Sequence, residues 1–189
     1  SYVCATSSQS LPYTRTLLLR ALRTQKPRVA VLETNSVFAR FSASDALARL
    51  TADALPVVEY HNRWKSLRPE DLTSSVQATW TDDLKGFRLN GRVCAATFTD
   101  HMAATDAVER PGLLNRLYLA DIQRICKDNG IKLVLLSTPS TVNWSRARHN
   151  GMQAWAADND VDYIDLNCGE DAVEIDWNQD TSDAGDHLN

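Results

Sequence analysis

Three apolar runs, spaced along the chain with helix-patterned stretches between and before them, constrain this sequence more than any other feature. Residues 28–33, 131–136 and 161–166 each read as a strand, and the first is apolar enough to predict burial on both faces. Pro12 opens a helix through about residue 24, with Leu17, Leu18, Ala21 and Leu22 on one stripe. Residues 113–129 form a second amphipathic helix, with Leu113, Leu114, Leu117, Ala120, Ile122 and Ile125 apolar and Asn129-Gly130 as its stop. Ser44 is positioned to cap a helix from residue 44, and another spans about 145–159. Residues 2–5 read as the end of a short strand, so strand, helix and strand at the start predict a parallel pair with a right-handed crossover. Strands alternating with helices imply an α/β domain over 1–189 with a parallel sheet covered on both faces. Residues 53–105 break the alternation: Trp64 and Trp80 stand among polar residues, with turn signals at Gly86-Phe87 and Asn90-Gly91, which suggests an insertion of short helices and loops.

Composition narrows the function classes. With 43% hydrophobic and 23% charged residues the chain has an ordinary globular balance, and its net charge of -4 argues against general nucleic-acid binding. No apolar run approaches the roughly 20 residues of a membrane span. The chain starts at Ser1 without a Met, so a membrane tie is expected only through an N-terminal anchor missing from it. Cys4, Cys94, Cys126 and Cys168 are scattered without a CxxC pair, which favours buried free thiols over zinc or redox sites. The four histidines lack metal-ligand spacing, so neither metal nor cofactor is expected.

In open parallel sheets, function sits at the carboxyl ends of the strands. Those ends carry Thr6-Ser7-Ser8, Glu33-Thr34-Asn35, Ser137-Thr138-Pro139 and the acidic run after Asn167. The closing stretch, Asp180-Thr181-Ser182-Asp183-Ala184-Gly185-Asp186-His187-Leu188-Asn189, sets one histidine among carboxylates without apolar periodicity. A carboxylate fixes the tautomer of a histidine base and stabilises its imidazolium, so His187 is the candidate base and Asp183 the candidate orienter. Asp186, its direct neighbour, is expected to point elsewhere. His61 and Arg63 suit a charged or polyhydroxyl substrate, and Trp64 could stack on a sugar; equally, Trp64 could cover core while Arg63 pairs with Glu59 or Asp71. Trp144 has the same two readings, as pocket wall or as core. His101 and His149 have no sequence-local partner and read as surface residues.

Four stretches together resemble the SGNH (GDSL-like) hydrolases, in particular a bacterial cell-envelope branch related to D-alanyl transfer proteins and polysaccharide O-acetyl esterases or transferases. They are Ala5-Thr6-Ser7-Ser8-Gln9, the 26–33 segment, Tyr60-His61-Asn62-Arg63-Trp64-Lys65-Ser66-Leu67, and Asp180 to Asn189. The resemblance implies a three-layer α/β/α, flavodoxin-like fold, here lacking its first strand and last helix. It implies an extracytoplasmic serine esterase or acyltransferase acting on O-acylated carbohydrate or cell-wall polymer. A catalytically inactive carbohydrate-binding or envelope-assembly module of the same fold is the alternative. His187 would be the base, Asn35 an oxyanion donor, and the backbone N–H of Ala5 or Thr6 a second donor. The family's nucleophile would precede this chain; the rival alignment reads Ala5-Thr6-Ser7 as a degenerate GxS turn with Ser7 or Ser8 as nucleophile, aided by a helix N-terminus. The Thr/Ser cluster could also simply cap that helix.

Overall fold

The computed structural model describes residues 3–5, 9–54, 83 and 90–189. Among them the chain is α/β, with one three-stranded parallel sheet in the order β1-β2-β3. In sequence the elements are α1 (Leu11–Leu22), β1 (Val29–Glu33), α2 (Asn35–Phe38), α3 (Ala43–Ala54), α4 (Leu113–Asp128), β2 (Lys132–Ser137), α5 (Arg146–Asn159) and β3 (Asp162–Asp165). A short 3-10 turn, Gly169–Asp171, follows β3. Val3, Cys4 and Ala5 form no strand and are exposed, which corrects both the expected first strand and the expected burial of Cys4.

The register explains which strand face is covered. Val31 pairs with Val134 and Leu32 with Leu135, while Leu135 pairs with Tyr163 and Ser137 with Asp165. Alternation therefore puts Leu32, Leu133, Leu135, Tyr163 and Asp165 on one face, and Val29, Val31 and Val134 on the other. Leu32, Leu133 and Leu135 join Leu119, Ile122 and Cys126 of α4 and Met152 and Ala156 of α5 in a single core. Val29 and Val31 remain 49% and 59% exposed, so β1 is not buried on both faces as its apolar run predicts. Apolar content alone does not say whether a second layer covers a strand.

Helix α4 is rotated from its expected stripe. Leu113 and Leu117 are exposed, whereas Asn115, Leu119, Ile122 and Cys126 face inward. Asn115 tolerates burial because its amide donates to the carbonyls of Val37 and, at 2.9 Å, Ala39, tying the end of α2 to α4. The cap of α3 is Ser42 rather than Ser44: its hydroxyl accepts from Asp45 N at 3.2 Å while the Asp45 carboxylate accepts from Ser42 N at 2.7 Å. That reciprocal pair is a capping box. Ser145 caps α5, accepting from Arg148 N at 3.3 Å.

Residues 90–112 carry no helix or strand and lie against the folded layer. Glu109 N donates to Ala147 O, and the Asn150 amide donates to the carbonyls of Thr105 and Ala107. This segment runs so close to α5 that a Cβ at Gly151 would sit 1.9 Å from Glu109 O, which requires glycine. Most of the expected 53–105 insertion lies outside the described residues.

Candidate active site

The site is assembled at the carboxyl end of the sheet from three pieces: the β1–α2 junction, the loop after β2, and the closing loop. Glu33 and Asn35, Thr138, Ser140 and Trp144, and Asp186 and His187 are respectively their contributions to one cleft. Its volume of about 130 Å³ is small beside the roughly 300–1,000 Å³ of typical drug-sized ligand sites.

The closing loop is held by backbone hydrogen bonds before any side chain acts. Thr181 and Leu188 form an antiparallel bridge, and Ser182 N donates to His187 O at 2.9 Å. Residues 90–96 clamp the loop from outside: Cys94 N donates to Thr181 O, Ala184 N to Cys94 O, and Ala96 N to Trp177 O. From inside, Thr141 N donates to Gly185 O at 2.8 Å. The turn requires left-handed backbone at Ala184 (φ 64) and Gly185 (φ 100). A Cβ at Gly185 would lie 2.0 Å from Thr141 Oγ1, so close approach and backbone both select glycine there.

This turn brings Asp183 back onto His187. One Asp183 oxygen accepts His187 N–H at 2.7 Å and the other lies 2.6 Å from His187 Nδ1. Asp186 is farther, at 3.7 Å from the same nitrogen, and its carboxylate takes the Asn143 amide instead. Binding of Nδ1–H to Asp183 leaves Nε2 as the basic nitrogen. The Asp183 hydrogen bond raises the His187 pKa above its ordinary value, with Asp186, Asp183 and Glu33 charges adding to the effect and burial opposing it. For Asp183, burial works upward, but the hydrogen bonds from the His187 ring and backbone prevail and hold it below the usual range.

Across the cleft, Glu33 accepts from Asn35 N at 2.9 Å, Ser36 N at 3.3 Å and Thr138 Oγ1 at 3.3 Å. Burial pushes its pKa up, and those hydrogen bonds only partly counter it. The Asn35 side-chain oxygen takes a long hydrogen bond, 3.5 Å, from Arg148. Its NH2 makes no hydrogen bond to any described residue, so it is the free amide donor of the cleft. Ser140 is a different matter: its hydroxyl donates to Gly185 O at 3.2 Å and accepts from Asn143 N at 3.0 Å. That hydroxyl is committed to holding the loop.

Asn35 and His187 therefore share the cleft. Ala5 is exposed and is not among the residues lining it. Thr6, Ser7, His61, Arg63 and Trp64 lie outside the described residues. Trp144 fulfils both of its readings, lining the cleft while only 3% exposed.

Two histidines read as idle surface residues are not idle. His101 lies edge-on to Trp177, and its Nε2 lies 3.2 Å from Asn167 Oδ1. His149 Nδ1 pairs with the buried Asp165 at 2.7 Å. Asp165 also accepts from Trp144 Nε1 at 3.0 Å and Tyr163 OH at 2.9 Å. The strand-end rule could have marked Asp165, the last residue of β3; nothing local marks His149. Among the described residues, two groups place three ligand-type atoms within 4.8 Å of one another: His149, Asp165 and Cys168, and Asp183, Asp186 and His187. In the first, Cys168 Sγ approaches the same His149 nitrogen that Asp165 holds, at 3.4 Å. A Cys–His–Asp relay needs its partners on opposite ring nitrogens, and burial raises the Cys168 thiol pKa besides, so this group is not built as a nucleophile.

No helix among the described residues is long and apolar enough to cross a membrane. Comparison of the chain with protein-family models, with curated proteins and with solved structures finds no match.

Proposed function

We propose that the cleft is the base side of an SGNH-type acyl-transfer site, in a serine esterase or acyltransferase acting on O-acyl groups of an extracytoplasmic glycan or cell-wall polymer. The observation that carries this reading is the Asp183–His187 pair opening into a cleft at the carboxyl end of a parallel sheet, opposite the free amide of Asn35. A serine hydroxyl would attack the ester carbonyl while His187 Nε2 takes its proton, and the Asn35 amide would donate to the developing oxyanion. Collapse breaks the ester C–O bond, His187 returns the proton to the departing alkoxide, and water or a second hydroxyl then releases the acyl group. The small cleft suits a short acyl group, and its polar lining with one indole suits a carbohydrate.

Ser140 is committed to the loop, so this reading takes another serine as the nucleophile; Ser7, the choice of the rival alignment, lies outside the described residues. The same reading takes β1, β2 and β3 as part of a doubly wound, flavodoxin-like sheet with helices on both faces. A non-catalytic carbohydrate-binding module is the second reading, favoured by the engagement of the one serine among the described cleft residues.

Hydrolysis of an O-acetylated polysaccharide, followed with fluorophosphonate labelling, separates the two. We expect turnover that His187→Ala lowers by about 10²–10⁴-fold without loss of fold, and a single labelled serine. Turnover unchanged in His187→Ala would overturn the proposal, and absence of both turnover and labelling would favour the binding module.

A further inference from the structure

Beyond the groups that would touch substrate, one buried carboxylate connects the walls of the cleft. Asp165 is 4% exposed and uses both of its oxygens. Oδ2 accepts from His149, Tyr163 and Trp144, and Trp144 is a wall of the cleft. Oδ1 accepts from Asn167 N at 2.8 Å and from Asn167 Nδ2 at 2.9 Å, which orients the Asn167 amide. That amide in turn accepts from Ser140 N at 3.2 Å and donates to Thr138 O at 3.1 Å, fixing the loop after β2. From this loop, Ser140 Oγ and Thr141 N both donate to Gly185 O, two residues before His187. An unbroken series of hydrogen bonds thus runs from Asp165 through Asn167 and Ser140 into the histidine loop.

We propose that Asp165 is a positioning residue: through Trp144 on one oxygen and Asn167 on the other, it sets the spacing between the cleft wall and the His187 loop. Its relevance to turnover rests on the acyl-transfer reading above, whereas its effect on loop position does not. Hydrogen bonds spent on a purely structural buried carboxylate would end in the core; here both arms end on residues that line the cleft. His149 Nδ1 faces it at 2.7 Å, and with Trp144, Tyr163 and Asn167 it surrounds the buried carboxylate with hydrogen-bond partners.

The arm to the loop can be cut without touching the core. Asn167→Ala removes the links to Ser140, Thr138 and His101 but leaves Asp165 with His149, Trp144 and Tyr163. In the intact protein we expect hydrogen exchange at the Thr141 amide to speed up about tenfold, with the Leu135 amide of β2 unchanged. In the same variant kcat for ester hydrolysis should fall on the order of tenfold to a hundredfold, with KM within about twofold, because misplacement of the base acts on the reacting geometry. Asp165→Asn, which keeps the volume, should reproduce the kcat loss. Unchanged Thr141 exchange in Asn167→Ala would overturn the positioning role, as would kcat and KM that both stay at wild-type values. If the wild-type protein shows no His187-dependent hydrolysis, the acyl-transfer reading falls and the Thr141 exchange alone decides the positioning.

Discussion

The two histidine–aspartate pairs of this molecule have nearly the same geometry in opposite surroundings. His187 and Asp183 meet at 2.6 Å with side chains 72% and 42% exposed, while His149 and Asp165 meet at 2.7 Å with side chains 19% and 3% exposed. Hydrogen-bond length does not distinguish the two pairs; solvent and the remaining partners do. His187 has one nitrogen held and the other left for a proton, beside a cleft. Asp165 has every oxygen taken, by an indole, a phenol, an amide and an imidazole, and so resists change. The exposed pair can exchange protons readily, and the buried one can keep two loops at a fixed separation.

The comparison is broken most forcefully at Asp165. Asp165→Ala leaves the donors of Trp144, Asn167 and His149 without their shared acceptor, and we expect about 3–5 kcal/mol of lost stability in urea unfolding. Asp183→Ala, in solvent, should cost under about 1 kcal/mol in the same measurement. Acid sharpens the contrast. Burial works to raise the Asp165 pKa, but hydrogen bonds from His149, Asn167 and Trp144 outweigh it and bring the value from 3.8 down to about 2. A carboxylate lowered on folding stabilises above its unfolded pKa, so about 2 kcal/mol should be lost as pH falls from about 4 through about 2. His187 has the opposite sign: its raised pKa favours the fold below the unfolded value and loses that small, solvent-screened contribution as pH rises through the folded one.

A middle-sized effect is expected where the exposed pair is built. Gly185→Ala forces a Cβ against Thr141 at a positive φ, and we expect about 1–3 kcal/mol of destabilisation together with weakened His187–Asp183 coupling in NMR titration. Stability equal to wild type would mean that the turn tolerates a different backbone and is not what sets the pair.

Much of the fold was legible because its signals are local. The apolar runs locate the three strands of the described sheet to within two residues, and the helix expected over about 145–159 and the Asn129-Gly130 stop match α5 and the end of α4. What the sequence withholds is lateral. Nothing in Val29 and Val31 says that their face is open, and nothing in Asn115 says that two carbonyls wait for it inside. The site divides in the same way. Asp183 and His187 are four residues apart on one turn, so their pairing is readable. His149 and Trp144 lie 16 and 21 residues from Asp165 and meet it only through the β3–α5 packing.

The smallest change tests the central claim most directly: the pH dependence of ester hydrolysis in the wild-type protein and in Asp183→Asn. His187 must be neutral to accept a proton, so wild-type kcat/KM should rise with pH through a pKa above the ordinary 6.5 of histidine. Asp183→Asn replaces the carboxylate whose hydrogen bond, and to a lesser degree whose charge, raises it, so the acid limb should move to lower pH while the plateau rate falls. An acid limb that stays in place in Asp183→Asn, or that persists in His187→Ala, would contradict the assignment of His187 as the base.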